Sequence, residues 1–261
     1  MPNLDPSNIR IWGDLQFVRV PAGKFLMGSP ADNKRASSAE RPQHTLEMPD
    51  TYWIARYPVT NEQFARFVTA SGYKFDQGQW TAKADQPVVA VSWRAAMAYC
   101  QWLNDTLRGE LKGLTLRLPT EAEWEKAARG PQGHEWPWGN EWDPKKCNSY
   151  ESRHGGATPV GAYSPQGDSP YGAADMAGNV WEWCHSRYRP YPYQATDGRE
   201  DPVSDDWREV RVARGGSWLD YRADARCAYR TNYHPDAHYD YHGFRCVLSP
   251  PRMTPFLQNK P

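Results

Sequence analysis

Residues 172–183, with the sequence GAADMAGNVWEW, place two carboxylates among glycines and tryptophans. Asp175 and Glu182 can supply charged oxygens, and the glycine-rich backbone between them can supply carbonyl oxygens. Hard cations such as Ca²⁺ prefer six to eight oxygen ligands, so this composition suits a calcium site. The spacing alone is explained better by a tight turn leading into a strand that carries Trp181 and Trp183 on one face.

Three histidines near the C-terminus recur at four-residue intervals: His234, His238 and His242. On a helix this spacing would place three imidazoles on one face, but Pro235 and Gly243 interrupt any helix there. The three histidines are therefore a poor metal signature. The sequence also offers no Ser-His-Asp set that spacing could recommend and no glycine-rich phosphate loop.

The composition argues against several classes of function. The 31 basic and 31 acidic residues balance, so the charge does not favour nucleic acid or an anionic membrane as a partner. No apolar stretch approaches the ~20 residues that a membrane-spanning helix needs, and the N-terminus lacks the basic and apolar regions of a signal peptide. The five cysteines are scattered without a CxxC motif, which argues against disulfides and zinc. These features predict a cytoplasmic protein.

The elements that would position these residues are short. Residues 16–28 read as two strands around a Pro-Ala-Gly turn. Thr60, Ser92 and Thr120 are predicted to cap three helices, and the first and third caps have Gln or Glu three residues later, as in a capping box. From Pro131 onward the helical period disappears, and short aromatic and glycine segments alternate with turns. The chain is therefore predicted to be one α+β domain with much irregular structure.

The domain boundaries follow from the same pattern. Residues 1–15 are assigned to an N-terminal extension, 16–250 to the domain, and 251–261 to a C-terminal tail. Within the domain, residues 187–209 are rich in Pro, Tyr and Asp without periodicity, which predicts a long surface loop.

Eight motifs follow one another in the order found in one known family. They are GKFLMGS at 23–29, YPVTN at 57–61, PVVAVSW at 87–93, RLPTEAEWE at 117–125, PWGN at 137–140, DMAGNVWEW at 175–183, RGGSW at 214–218 and GFR at 243–245. The chain resembles the formylglycine-generating enzyme, or sulfatase-modifying factor, family over about residues 16–248. The resemblance implies a C-type-lectin-like fold, an α+β domain with few short helices and short strands.

The resemblance also implies chemistry that this chain does not fully match. The family's enzymes oxidise a substrate cysteine to formylglycine with O₂ and copper, which two cysteines shortly after Arg-Gly-Gly-Ser bind as Cu(I). Here Asp220 stands at the first of these positions, and the segment is too short to hold the second. Cys227 matches a framework position instead. Copper is therefore not expected, and the three-histidine iron site of the ergothioneine-type branch would need an additional N-terminal domain.

Calcium is better supported by the resemblance than by the spacing. In the family, the motif matching residues 172–183 holds Ca²⁺ through side chains matching Asp175 and Glu182 and through main-chain oxygens matching Gly178 and Val180. All four residues are compatible with this role, so a structural Ca²⁺ is expected there.

Between RGGSW and GFR, seven residues look like framework: Arg222, Arg226, Cys227, Ala228, Arg230, Pro235 and Asp236. Sixteen others share one property: each can be reached from the Asn codon AAC by changing only its adenines. Lys, Glu, Gln, Met and Trp are missing from the set. The members are Leu219, Asp220, Tyr221, Ala223, Asp224, Tyr229, Thr231, Asn232, Tyr233, His234, Ala237, His238, Tyr239, Asp240, Tyr241 and His242. This is similar to the variable proteins of diversity-generating retroelements, some of which use this fold and diversify this segment. Ordinary family members also carry Asn, Asp and Tyr here, so an inherited pattern is the alternative.

The predicted function is therefore non-catalytic binding of a protein or peptide through an exposed face at 219–242. Tyrosines bury a large area at low entropic cost, so the four expected to contribute most are Tyr221, Tyr233, Tyr239 and Tyr241. The alternative is a metal-dependent oxidase or another enzyme of the family with an altered active site. Such an enzyme would use Asp220 and a nearby histidine in a concave pocket.

Overall fold

The structure is a computed structural model that describes residues 6–75, 83–201 and 208–251. These residues form three α-helices and eleven short strands joined by long irregular segments. The helices are α1 (Asn61–Ser71), α2 (Trp93–Thr106) and α3 (Glu121–Arg129). The strands are β1 (Ile9–Trp12), β2 (Leu15–Val20), β3 (Gly23–Met27), β4 (His44–Met48), β5 (Tyr52–Ala55), β6 (Thr115–Arg117), β7 (Trp181–Arg187), β8 (Arg211–Arg214), β9 (Thr231–Tyr233), β10 (His242–Gly243) and β11 (Val247–Ser249).

The strands form three sheets. The largest is antiparallel with the order β1-β2-β5-β11-β6, so the last strand of the chain lies between β5 and β6. The second has the order β10-β7-β8-β9, in which β10 runs parallel to β7 and the other pairs are antiparallel. β3 and β4 form a separate two-stranded ribbon. The two strands predicted in residues 16–28 are confirmed as β2 and β3, although β2 pairs with β1 and β5 and β3 pairs with β4.

The three predicted helix caps are confirmed. The Thr60 side chain accepts a hydrogen bond from the Gln63 N–H, and the Thr120 side chain accepts one from the Glu123 N–H. In both caps the third residue reaches back to the cap backbone, which completes a capping box. Ser92 caps α2 in the same way, without the reciprocal contact described for the other two.

The main core is built largely from aromatic rings. Phe64 and Phe67 of α1 pack against Tyr99 of α2, and Phe244 closes the cluster from the C-terminal side. Trp181 and Trp183 of β7 are both buried in this same cluster, as their alternation predicts.

Helix α3 is buried along its whole length, although five of its nine residues are charged. Its carboxylates accept hydrogen bonds from arginines of other elements, including Arg117 to Glu123, Arg214 to Glu125 and Arg230 to Glu121. A buried charge is tolerated when it is paired and hydrogen-bonded, so these pairs explain how a polar helix occupies the centre of the fold.

Two segments differ from a simple expectation. The predicted surface loop at 187–209 is irregular after β7 and mostly exposed or half-buried over its described residues, but Tyr191, Tyr193 and Arg199 are buried. Residues 202–207 lie outside the described ranges. The segment assigned to an N-terminal extension contains β1, which pairs with β2. Only residue 251 of the C-terminal tail is described. Over the described ranges, no helix has the length and apolar character needed to span a membrane.

Candidate binding surface and cation site

Residues 219–242 run over the outer side of the second sheet as turns, then β9, then a loop into β10. We call the outward part of this segment the variable surface and define it by the sixteen residues singled out from the codon pattern. Six of them are exposed: Leu219, Tyr221, His234, His238, Tyr239 and Asp240. Nine are half-buried: Asp220, Ala223, Asp224, Tyr229, Thr231, Asn232, Tyr233, Ala237 and Tyr241.

The remaining residue, His242, contradicts the expected exposure of the whole segment. It is buried because β10 pairs with β7, which places its ring 5.0 Å from the ring of Trp183. Tyr233, at 4.2 Å, and Tyr239 cover it from outside. Burial lowers the pKa of His242 to about 3, so the imidazole is neutral.

Framework residues between the variable positions point inward and hold the segment in place. Arg226 donates two hydrogen bonds to the Glu40 carboxylate, at 2.7 and 2.8 Å. Arg230 makes the equivalent pair with Glu121, at 2.6 and 2.7 Å. All four side chains are buried, so the turns that carry the variable positions are fixed to the 3-10 turn at Ser38–Glu40 and to α3.

Tyrosines form the centre of the variable surface. The rings of Tyr239 and Tyr241 are stacked, and Tyr233 meets Tyr239 edge-on with ring centroids 5.7 Å apart. Tyr229 packs against Trp181 of the core. These contacts place large amphipathic rings side by side on a rigid support, which is the arrangement that binding surfaces use.

One residue of this surface was missed by the sequence reasoning. Tyr150 is 53% exposed, and its ring lies 4.6 Å from that of Tyr221. Its N–H also donates to the Asp220 carbonyl at 2.9 Å, which ties the 150–152 turn to the variable surface. Tyr150 lies about 70 residues before Tyr221, and no local pattern connects them. Tyr150 also lies outside the 219–242 segment, so the pattern of that segment gave no signal for it.

Two carboxylates lie within the surface. Asp220 accepts hydrogen bonds from the Ser217 N–H, at 2.9 Å, and from the Ser217 hydroxyl, which forms a tight turn. Burial, together with the charge of Asp220, raises the pKa of Asp224, which accepts a hydrogen bond from the Tyr229 hydroxyl. Burial and Asp224 raise the pKa of Tyr229 to about 12.

The residues present do not fit a two-thiolate copper site. At the position expected for the first copper cysteine, the Asp220 side chain is used in the turn with Ser217. Cys227 is fully buried, and burial raises its thiol pKa to about 12, so it is protonated at neutral pH. Cu(I) binds thiolates, and neither residue offers one.

The predicted calcium residues come together around β7. The Asp175 carboxylate accepts a 2.6 Å hydrogen bond from the Gly161 N–H, and its backbone is in the left-handed region at φ 55°. Burial, opposed by that hydrogen bond, raises the pKa of Asp175 to about 6, and Glu182 also contributes to the rise. A buried acid that repels a second acid is stabilised by a cation, so this feature fits Ca²⁺.

Glu182 is already paired within the fold. Its Oε2 accepts from Arg245 Nε and Trp124 Nε1, at 2.6 and 2.8 Å, whereas Oε1 accepts from Arg245 Nη2 at 2.6 Å. One acceptor position of Oε1 is left for a metal. The Gly178 carbonyl accepts from the Val180 N–H at 2.9 Å. Among the described residues, no group of three or more His, Cys, Asp or Glu side chains could hold a metal ion. A Ca²⁺ held by Asp175, Gly178, Val180 and Glu182 therefore stays a prediction.

Two cavities bear on the enzyme alternative, which requires a concave pocket that contains Asp220. A recess of about 290 Å³ adjoins the variable surface and is lined by residues including Lys74, Ser92, Asp236 and His238. A second, of about 530 Å³, lies at the end of α2 around Asn104 and Leu114. Neither is lined by Asp220 or by Asp224, the acid whose pKa is raised.

Comparison with known proteins gives consistent matches. The sulfatase-modifying factor enzyme 1-like domain matches residues 14–250. The formylglycine-generating enzyme of Thermomonospora curvata is 32% identical over 299 aligned positions, which cover 90% of this chain and 93% of that protein. The structure of PvdO from Pseudomonas aeruginosa has a TM-score of 0.75 at 26% identity and covers 90% of this chain and 94% of its own. Treponema denticola variable protein 1 has a TM-score of 0.72 at 23% identity, covering 93% and 98%.

These matches and the observed arrangement confirm the predicted α+β, C-type-lectin-like fold. The motifs from GKFLMGS to GFR lie within the matched range, and the helix caps and buried ion pairs that they form are present. The chain belongs to the formylglycine-generating enzyme, or sulfatase-modifying factor, family.

Proposed function

We propose that this chain is a non-catalytic binding module of its family that binds a protein or peptide through the variable surface. The observation that carries the proposal is the separation of roles within residues 219–242. Fifteen of the sixteen variable positions are exposed or half-buried. Of the seven framework positions, Arg222 and Asp236 are exposed and the other five are buried: Arg226, Cys227, Ala228, Arg230 and Pro235. Side chains that point outward can change without loss of the fold, and a binding surface needs this freedom.

We further propose that the segment is diversified by a retroelement. The sixteen positions are those left when the framework positions of the family are set aside, and fifteen of them are exposed or half-buried. All sixteen residues can be encoded by AAC with only its adenines changed, which diversification requires but which the framework residues also satisfy. The fold is similar to that of Treponema denticola variable protein 1, which supports a scaffold compatible with this use. At 23% identity, this similarity concerns the fold and not the function.

The DNA that flanks the gene tests the diversification. We expect a near-copy of codons 214–245 beside a reverse transcriptase gene, with adenines wherever the sixteen codons differ. A near-copy whose differences fall instead on the framework codons, or flanking DNA without any copy, would contradict diversification. Binding by a fixed surface would then be tested separately with the tyrosine variants described below.

A structural Ca²⁺ at Asp175 is part of the same proposal. The raised pKa of this buried carboxyl and the remaining acceptor position on Glu182 support it. A cation there would neutralise Asp175 next to β7 and thereby stabilise the sheet that carries β8, β9 and β10. This cation would contribute to stability rather than to binding, because residues 175–182 lie outside the 219–242 segment.

A further inference from the structure

The charges of the 219–242 segment are divided between the two sides of the surface. The segment contains three arginines and four aspartates. Arg226 and Arg230 are buried and neutralised by Glu40 and Glu121, so their charges do not reach the solvent. Arg222 is the exposed arginine, whereas Asp220, Asp224, Asp236 and Asp240 are exposed or half-buried. The outward side of the segment is therefore acidic even though the chain is neutral as a whole.

Two of these aspartates, Asp220 and Asp224, interact with each other. Burial and the charge of Asp220 raise the pKa of Asp224, and the charge of the buried Arg226 offsets part of this rise. Within the described part of the chain, no ion pair involves either of them, whereas Asp236 is paired with Arg94 at 2.8 Å. Two like charges that share a half-buried site repel each other, and an added cation relieves that repulsion.

Tyrosines lie beside the same carboxylates. Asp220 contributes to the raised pKa values of Tyr229, Tyr233 and Tyr241, after burial in each case, so it acts on all three hydroxyls. The Tyr221 ring is 55% exposed on the other side. The face of an aromatic ring attracts cations, most strongly where water is partly excluded. Tyrosine faces beside unpaired carboxylates thus favour a positive group and disfavour a negative one.

His242 provides an independent indication. Its side chain is 1% exposed, and neither of its ring nitrogens has a hydrogen-bond partner in the described structure. A neutral imidazole has one nitrogen that accepts a hydrogen bond, and leaving it unpaired in the interior costs free energy. Tyr233, Tyr239 and Tyr241 lie directly over this ring. A ligand N–H that enters between these tyrosines would satisfy the imidazole.

We infer that the variable surface recognises a lysine- or arginine-bearing segment of a protein partner. The inference rests on the proposed binding function and names the chemistry of the ligand. A basic side chain combines the three properties that the surface lacks. Its positive charge neutralises Asp220 and Asp224, it packs against the tyrosine faces, and its N–H groups can donate to His242.

The test is a selection from short random peptides displayed on phage, using the intact chain as target. Recovered peptides are divided into those that no longer bind the variant Tyr239→Ala and those that still bind it. The first group contains the binders of the variable surface. Surface binders are expected to be enriched in Lys and Arg over the starting library. Their affinity should fall about tenfold in the variant Asp224→Asn and at high ionic strength.

The matched control is Asp50→Asn, an exposed aspartate between β4 and β5 that should leave binding unchanged. Surface binders without basic enrichment, or binders unaffected by Asp224→Asn, would overturn the inference while leaving the binding function in place. Failure to recover any peptide sensitive to Tyr239→Ala would count against the proposed function itself. The two failures are therefore distinguishable.

Discussion

The rings of Tyr239 and Tyr241 lie parallel, with an interplanar angle of 5° and centroids 5.3 Å apart. Tyr239 is 48% exposed, whereas Tyr241 is half-buried against the main core. The pair thus joins a solvent-facing ring to one that the fold already supports. Rings held in this way lose little conformational freedom on binding, so they are good candidates for the main contacts of an interface.

The change Tyr239→Ala is expected to weaken partner binding by about 2 kcal/mol or more, roughly thirtyfold. Because the side chain is largely exposed and its backbone contacts with Ala90 and His242 remain, the free energy of unfolding should change by less than about 0.5 kcal/mol. Titration of a selected peptide and denaturant unfolding measure the two quantities. Ile11→Ala, an exposed apolar residue on β1, is the control for nonspecific effects.

Tyr241→Ala should differ from Tyr239→Ala in its effect on stability. It removes a half-buried ring that packs against the main core, so the free energy of unfolding should fall by about 1–2 kcal/mol, with binding also lost. A large loss of stability from Tyr239→Ala instead would mean that this ring belongs to the core, which would contradict the assignment of the surface.

His242→Phe is expected to stabilise the protein by about 1 kcal/mol at neutral pH, because it replaces an unpaired buried polar ring with an apolar one of similar shape. The same change should alter the acid response. The folded-state pKa of about 3 lies below the unfolded value near 6.5, so the unfolded state takes up the proton first and stability falls as pH drops from 6.5 towards 3.

Unfolding curves across this pH range test the assignment. Stability that depends equally on pH with and without His242→Phe would show that the imidazole is not the titrating group. His238→Phe is the matched control, since it makes the same change at an exposed histidine.

Local rules predicted much of this fold. Each helix cap depends on residues three positions apart, so Thr60 with Gln63 and Thr120 with Glu123 were readable from the sequence. The burial of Trp181 and Trp183 followed from strand alternation, which is also local. The order of the motifs supplied the rest of the fold class.

The nonlocal features were not predictable in this way. Arg226 and Glu40 form an ion pair although they are 186 positions apart in the sequence. The position of β11 between β5 and β6 likewise has no local sequence signal. His242 was expected to be exposed because it is one of the sixteen variable positions. Its burial arises from the two-residue pairing of β10 with β7, which only the assembled sheet determines.

Calcium binding at Asp175 predicts a pH-dependent stabilisation. In the absence of a cation, the folded-state pKa of about 6 exceeds the ordinary value of 3.8, so the folded protein holds the proton more tightly. Stability without Ca²⁺ should therefore fall as pH rises from about 4 to 6. Because Ca²⁺ must replace that proton, the increase in melting temperature that it causes should be largest above pH 6 and shrink below it.

Two variants separate the cation from the hydrogen bond. Asp175→Asn tolerates the left-handed backbone and can still accept from Gly161, so it should keep its stability in chelator and lose the response to Ca²⁺. Asp175→Ala should also lose about 1–2 kcal/mol of stability. Identical melting curves of the unaltered protein with Ca²⁺ and with chelator would rule out the site.

The buried pair of Glu40 and Arg226 is expected to determine whether the variable surface keeps its shape. Glu40 also accepts from the Ser29 hydroxyl and the Ser37 N–H, and Arg226 donates to the Arg35 carbonyl, so the pair links two segments. Burial would raise the pKa of Glu40, but Arg226 holds it below the ordinary value. The pair therefore stabilises the fold above the unfolded pKa of Glu40, and this contribution is lost as pH falls through the lowered folded value.

Glu40→Gln leaves the Arg226 charge buried without its partner, so it should cost about 3–5 kcal/mol. Replacing both residues by Leu should cost clearly less than the sum of Glu40→Leu and Arg226→Leu made separately, because no unpaired charge remains. Denaturant unfolding of the unaltered protein, these two single variants and the double variant measures this coupling. Additive effects, or a cost below about 1 kcal/mol for Glu40→Gln, would mean that the turn is held by its other contacts, and the variable surface would then tolerate loss of the pair.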